Sequence, residues 1–220
     1  MMLRVLQINL HHSKVASANL IIHLAKGGHH IVLIQEPWVS HGLVCGLRTQ
    51  KYKLMYARNK GNPRACVLIR KGINAFMLSN YSDTDQLTIS LESGNERMWL
   101  SSCYLAHDHE ELPRLIFKDL VAQAQKLGAK LIIGADVNAH HEIWGSTDTN
   151  ARGECLFDYL IGTKLQICNK GNKPTFVISN RQEVLDATFA FDSVINRIRN
   201  WKVLEEHSFS DHRYISFEVS

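Results

Sequence analysis

Leu131-Ile132-Ile133-Gly134-Ala135-Asp136-Val137-Asn138 decides how this chain is read. Residues 130–135 form an apolar run suited to a strand covered on both faces and central in its sheet. The run ends in an acid and an amide two positions apart, whose side chains leave an extended backbone on the same side. Working outward, the same form recurs. Leu3–Ile8 ends in Asn9, and Ile31–Ile34 ends in Gln35-Glu36. Ser210-Asp211-His212 stands just before a last apolar stretch. Apolar strands that each end in a carboxylate, amide or imidazole predict one polar site across the end of a sheet. Its groups suit a hard divalent cation and a phosphodiester.

Between these anchors the pattern alternates strands with a few helices. Residues 15–26 read as a helix with Val15, Leu20, Ile21, Ile22 and Leu24 as its apolar stripe, ended by Gly27-Gly28. Short runs at 54–57, 65–70, 74–78, 86–92 and 97–104 read as an antiparallel meander. Helices follow at about 111–127, with Pro113 in the first turn, and at 151–164, with Leu156, Phe157, Leu160 and Ile161 on one face. The remaining strands fall at 166–169, 175–178, 184–190, 201–205 and 213–219. Both halves supply strands and covering helices. The economical architecture is therefore a four-layer α/β sandwich: two mainly antiparallel mixed sheets packed face to face, helices outside.

With 220 residues and 45% apolar content, one domain spanning 1–220 is expected. No apolar run approaches the roughly 20 residues of a membrane span, and the start leads into a strand pattern, not a signal peptide. Cys45, Cys66, Cys103, Cys155 and Cys168 are odd in number and scattered; Cys66, Cys103 and Cys168, within apolar strand-like stretches, suit small core residues in a reducing compartment. No Cys/His spacing suggests zinc, and neither a Walker loop nor a Gly-x-Ser-x-Gly elbow is present. The net charge of +4 is unevenly placed. Arg48 to Lys71 holds eight Lys/Arg and no acid, among them Lys51 and Arg58, with Tyr52 and Tyr56 interleaved. Arg197-Ile198-Arg199-Asn200-Trp201-Lys202 is a second basic and aromatic cluster. Either can be a solvated face; the two together favour a nucleic-acid backbone.

The candidate site residues have distinct chemistry. Asp136 can take a proton from water or help hold a metal, and the amide of Asn138 can donate to a phosphate oxygen. Both residue types also make turns and helix caps. Glu36 is a sufficient carboxylate for magnesium, which keeps waters and substrate oxygens as its other ligands. Asn9 ends the first strand ahead of His11 and His12. His212 suits charge stabilisation at phosphorus if a carboxylate holds it protonated, and Asp186, set among apolar strand residues, is the expected partner. Asp211 points the other way and is expected to reach a metal-bound water. Tyr104 can offer its hydroxyl to a phosphate. His140 and His141 are expected near substrate. His23, His29, His30, His41, His107, His109 and His207 read as surface or loop residues.

The ordered set Asn9, Gln35-Glu36, Tyr104, Gly134-Ala135-Asp136-Val137-Asn138, Asp186 and Ser210-Asp211-His212 resembles the exonuclease III / apurinic endonuclease / DNase I-like superfamily over essentially the whole chain. Asp136–His141, Trp144-Gly145-Ser146, Asn150-Ala151-Arg152-Gly153 and Pro174-Thr175-Phe176 look like the endonuclease domain of Jockey-like, insect-type non-LTR retrotransposons. The resemblance implies a Mg²⁺-dependent DNA endonuclease, with Mn²⁺ as a substitute, that nicks one strand and leaves a 3′-hydroxyl to prime reverse transcription. Glu36 and Asp211 would hold the metal and Asp136 would activate water. Asn9, Tyr104 and Asn138 would place the phosphate, and His212, oriented by Asp186, would stabilise the transition state. Thr175, His140 and Arg152 would contact DNA, alongside Arg197, Arg199, Trp201, Lys51, Tyr52 and Arg58 from the basic clusters. Residues 192–202 are the expected groove reader. The family strand pattern appears altered here as Leu185-Asp186-Ala187-Thr188-Phe189, with the Asp kept. The resemblance further implies a monomeric domain at the head of a polyprotein with a reverse transcriptase, double-stranded DNA as substrate, no membrane, and a place in the nucleus. The competing readings are an abasic-site repair endonuclease, a catalytically inactive DNA-binding module and a lipid phosphodiesterase.

Overall fold

The computed structural model describes residues 2–58, 61–93, 96–109 and 111–220; Lys60 of the basic stretch lies outside them. The chain runs through β1 (Leu3–Asn9), α1 (Lys14–Ala25), β2 (Ile31–Gln35), a small hairpin of β3 (Val39–Ser40) and β4 (Leu43–Val44), β5 (Tyr52–Met55) and β6 (Ala65–Arg70). Next come β7 (Ala75–Met77), β8 (Gln86–Ser93), β9 (Glu96–Tyr104), α2 (Leu115–Leu127), β10 (Lys130–Asp136), α3 (Ala151–Ile161) and β11 (Leu165–Ile167). A second hairpin of β12 (Phe176–Ile178) and β13 (Arg181–Glu183) precedes β14 (Asp186–Phe191), α4 (Asp192–Ile195), β15 (Ile198–Val203) and β16 (Ile215–Val219). Two six-stranded sheets result, ordered β15-β16-β1-β2-β6-β5 and β11-β14-β10-β9-β8-β7. The layered α/β sandwich read from the sequence is the architecture found.

Each sheet has one parallel pair at its centre, β1 with β2 and β9 with β10; the other described pairs are antiparallel. A parallel pair needs a crossover, supplied here by α1 and by α2. Parallel neighbours end together, so Asn9 lies beside Gln35 and Tyr104 beside Asp136. Crevices at the carboxyl ends of such strands are where α/β folds place ligands.

Period-two alternation sorts the core. Leu3, Val5, Ile31 and Leu33 face the second sheet, while Leu6, Ile8, Val32 and Ile34 pack beneath Leu20 and Leu24 of α1. Polar residues also bridge the sheets. Gln7 donates to the carbonyls of Ala135 and Ala187, and Gln35 donates to Ser102 Oγ and to the carbonyl of Gly134. These bonds bring the backbones close at Gly134, where a Cβ would lie 2.7 Å from Gln7 Oε1 and 2.8 Å from Leu33 Cδ1. That approach explains a glycine inside an apolar central strand. Gly134→Ala is expected to cost about 1–3 kcal/mol, the usual range for overpacking a core. A denaturant melt showing an unchanged midpoint would refute it.

Several element-level expectations change. The buried face of α1 is Ala16, Ser17, Leu20 and Leu24, whereas Val15 and Ile22 are exposed. Pro113 lies before α2, which begins at Leu115, and α3 ends at Ile161 with that side chain exposed. Residues 192–202, expected as the groove reader, form α4 and the edge strand β15, which starts with Ile198 paired to Val219, at the level of Leu3. That is the end of the sheet opposite Asn9. Trp201 is buried and donates to Thr188 Oγ1 at 3.0 Å, so its ring is not free to stack on a base. Arg197 is taken by Glu96 and the carbonyl of Ser220, and Arg199 shares its remote level. Tyr52 is buried with its hydroxyl on the carbonyl of His29, at the far end of β2, and Lys51 adjoins it. Of that trio only Arg58, beyond the outgoing end of β5, lies toward Glu36.

Candidate active site

The ends of both parallel pairs meet around Asn9. Its side-chain nitrogen donates to Glu36 Oε2 at 3.0 Å and to Asp136 Oδ2 at 2.7 Å, joining a carboxylate from each sheet. Its oxygen accepts the backbone N–H of His11, which fixes the amide's orientation. Glu36 sits in the left-handed region, φ 44°, immediately after β2. Such conformations cost about 1–3 kcal/mol in a non-glycine residue and persist where surroundings enforce them. Here the Glu36 N–H donates to the carbonyl of Arg64, and the Glu36 carbonyl accepts from His12. The carboxylate also receives His12 Nε2 at 3.1 Å and the hydroxyl of Tyr104.

Burial would raise Glu36, yet the bonds from His12, Asn9 and Tyr104 outweigh it and hold the acid down at about 2. Asp136 behaves oppositely. Burial is the main cause, the like charge of Asp186 adds to it, and the group is pushed up to about 7. Its Oδ1 accepts the Asn138 N–H at 3.1 Å, and its Oδ2 lies 3.9 Å from His212 Nε2. His212 Nδ1 meets Asp186 Oδ2 at 2.8 Å. Burial alone would lower His212, but the charge and hydrogen bond of Asp186, then Asp136 and Glu36, carry it up to about 9. His212 is thus an imidazolium at neutral pH with Nε2–H turned toward Asp136. Burial and the charge of Glu36 raise Tyr104, which keeps its proton.

Glu36, Tyr104, Asp136 and His212 line a cavity of about 460 Å³ together with Asn138, His11, His107, His140, Asn150, Arg152, Phe176, Arg181 and Leu185. A slightly larger groove near Arg4 and Lys202 lies at the other end of the first sheet. Asn138, at φ 46°, has a buried amide nitrogen with no protein hydrogen-bond partner among the described residues. A donor so placed is free to meet water or a ligand acceptor in the cavity.

Other expected residues have different duties. Asp211 does not line the cavity: its carboxylate turns to His11 Nδ1 at 2.7 Å. Thr175 is fully buried, and its hydroxyl accepts the N–H groups of Leu185 and Asp186, so it anchors the start of β14 and cannot touch DNA. Arg152 spends its guanidinium on the carbonyls of Leu105, Ala106, His109 and Asn138. His140 is at the rim, between Asp148 and Arg181. His141 packs on Phe157 and Trp144, away from the cavity. His107, expected on the surface, lines the site, and His109 is tied to Asp85 at 3.0 Å. Sequence reasoning missed His12, Phe176 and Arg181. The closeness of His12 to Asn9 and the place of Phe176 in the Pro174-Thr175-Phe176 motif signalled those two, and nothing signalled Arg181. Phe176 stands edge-on to His212 with centroids 5.2 Å apart, and the Arg181 guanidinium lies over the Phe176 ring.

The donor set fits a divalent cation. Asp136, Asp186 and His212 bring ligand atoms within 4.8 Å of one another, with an ionised Glu36 bridged to Asp136 through Asn9. Burial is the main cause of the upward push on Asp136, and a nearby cation would favour its ionised form. Glu36 and Asp136 could share a hard cation, which keeps waters and substrate oxygens as its remaining ligands.

Comparison with known proteins agrees with this geometry. Residues 98–216 match the family described as Endonuclease-reverse transcriptase. The RNA-directed DNA polymerase from mobile element jockey of Drosophila funebris is 33% identical over 124 residues, 54% of this chain. The aligned part is 13% of that polymerase's length. The endonuclease domain of TRAS1, a telomere-specific non-LTR retrotransposon, superposes with TM-score 0.83 at 27% identity, covering 99% of this chain and 98% of that one. The AP endonuclease LMAP from Leishmania major shares the fold, with TM-score 0.79 at 12% identity over 99% of this chain and 87% of LMAP.

Proposed function

The chain belongs to the endonuclease–reverse transcriptase family, as its DNA-endonuclease part, and on that premise we propose that it is a Mg²⁺-dependent enzyme nicking one strand of duplex DNA. The nick leaves a 3′-hydroxyl able to prime reverse transcription. The observation that carries this reading is the Asn9 amide, shared by Glu36 of one sheet and Asp136 of the other. It gathers a cation-holding acid and a proton-accepting acid at one point.

A bound cation would neutralise phosphate charge and stabilise the departing oxygen. Asp136 takes the proton of the attacking water; a carboxylate raised toward neutral pH is a stronger base than an ordinary one. Asn9 keeps that carboxylate turned into the cavity. The unpaired Asn138 amide donates to a non-bridging phosphate oxygen, while the Tyr104 hydroxyl donates to Glu36 and keeps that carboxylate beside the phosphate. His212, charged and held by Asp186, faces the negative charge that grows on the phosphoryl group.

Supercoiled plasmid incubated with the protein and Mg²⁺ should become open-circular, and a DNA polymerase should extend the nick. Plasmid left intact would end this reading. Cleavage confined to an abasic duplex would replace it with a repair activity.

The rim suggests which groups meet DNA. Arg181, His107 and His140 line the opening, and Arg58 lies on that side. Arg181→Ala should reduce the slope of log Kd against log salt by about 1, the loss of one phosphate contact, whereas Arg199→Ala should leave it unchanged. Equal slopes for Arg181→Ala and the parent would remove Arg181 from the interface. We further propose that the chain works beside a reverse transcriptase in one polyprotein, as a monomeric domain acting on nuclear DNA. The jockey polymerase, with its far greater length, supports the first of these.

A further inference from the structure

Outside the catalytic cluster, one buried ion pair closes a ring of contacts around the cavity wall. Arg64 forks onto Asp85, Nε to Oδ1 at 2.6 Å and Nη2 to Oδ2 at 2.7 Å, and the Asp85 side chain is only 3% exposed. His109 donates to the same carboxylate at 3.0 Å. Arg64 belongs to the first sheet's side and Asp85 to the second's. The N–H and carbonyl groups around them extend the link. The Arg64 carbonyl accepts from Glu36, the Asp85 carbonyl accepts from Tyr104, and the Arg64 N–H donates to Thr84. The Tyr104 hydroxyl closes the ring on the Glu36 carboxylate. The Arg64 guanidinium also lies over the Tyr104 ring, 5.2 Å from its centroid.

We infer that Arg64 is a positioning residue for the nuclease site: its fork onto Asp85 sets the distance between Glu36 and Tyr104. Three features point the same way. The fork is bidentate, so it fixes direction as well as separation. It joins the two residues whose backbones hold Glu36 and Tyr104. Glu36 has a left-handed backbone that its surroundings must enforce, and the Arg64 carbonyl takes its N–H. The cation over the Tyr104 ring also polarises its hydroxyl as a donor. A lysine keeps the charge but makes neither the planar fork nor the same stacking. An ångström of misplacement at a reacting centre costs about 10²-fold in rate.

This inference rests on the nuclease reading, so the experiment separates the two. Plasmid nicking is measured for the parent, Arg64→Lys, Asp85→Asn, Tyr104→Phe and the Arg64→Lys/Tyr104→Phe double variant. DNA affinity in chelator and thermal melting are recorded for each. Arg64→Lys and Asp85→Asn should lower kcat by about 10-fold or more, within the ~10²-fold that misplacement costs, with KM and the chelator-measured affinity within twofold. The Arg64→Lys loss should shrink in the Tyr104→Phe background, because both act on one contact ring. A folded Arg64→Lys protein with parental kcat overturns the inference, as does strict additivity with Tyr104→Phe. A lowered melting point with parental kcat below the melt likewise reduces the fork to a structural tie and overturns it. An inactive parent would instead sink the nuclease reading.

Discussion

His212→Ala is expected to lower plasmid nicking by about 10²–10³-fold, the loss typical of removing one preorganised electrostatic stabiliser. The size follows from the surroundings of this imidazole. It is 6% exposed, so its charge is little screened, and Asp186 at 2.8 Å keeps it protonated at working pH. Phe176 covers its edge and excludes solvent from that side. The substitution should also destabilise, because Asp186 is left buried without its counter-charge, a loss of about 3–5 kcal/mol in comparable cases. The pH dependence of that stability is diagnostic. The folded-state value of His212, about 9, lies above the unfolded 6.5. Its contribution is therefore complete below about 6.5 and fades as pH rises through 9. The melting-point gap between parent and His212→Ala should be widest at pH 6 and narrow toward pH 9.5. A gap that widens with pH would show the imidazole neutral in the native protein, and the electrostatic role would go with it.

The fold was legible because its central strands announce themselves. Leu131–Ala135 and Ile31–Ile34 are apolar without alternation, and each ends in a buried polar residue, Asp136 and Gln35. The convergence of Asn9, Glu36, Tyr104, Asp136, Asn138, Asp186 and His212 follows from parallel pairs ending level, a consequence of topology that strand order alone can suggest. What stayed hidden depends on register and loop direction. Arg197, Arg199 and Trp201 read as a nucleic-acid cluster because basic and aromatic letters adjoin. The pairing of Ile198 with Val219 carries Arg197 and Arg199 to the far end of the sheet, and Trp201 is buried against Thr188. Thr175 and Arg152 point at backbone groups, which no composition argument can see. Arg181 was overlooked because the three-residue strands of its hairpin are too short for a periodic signal. Asp211 does point away from His212, as an extended segment requires, but its carboxylate meets His11, a side-chain pairing that spacing does not reveal.

Asp136→Asn should abolish nicking to a similar or greater extent, about 10²–10⁴-fold for a lost general base, while leaving the protein no less stable. The two halves of that expectation share one cause. Burial, with Asp186 nearby, raises the Asp136 carboxyl from 3.8 to about 7. A raised carboxyl is one the folded state resists ionising, so its cost to stability appears as pH rises above 3.8 and is complete above about 7. Asparagine keeps the shape and removes the buried charge, although its single oxygen can accept from Asn9 or from the Asn138 N–H but not from both, which offsets part of the gain. The variant should therefore melt at or above the parent temperature at pH 8, and the two should converge only as pH falls below 3.8. The same shift predicts that parental nicking climbs as pH rises through neutrality. Raising the divalent-cation concentration should move that limb to lower pH, since a nearby cation favours the ionised acid. An Asp136→Asn protein that melts well below the parent at pH 8 would mean the carboxylate is held by compensating charge. A variant that still nicks at the parent rate would remove Asp136 from the proton transfer and leave the water to another base.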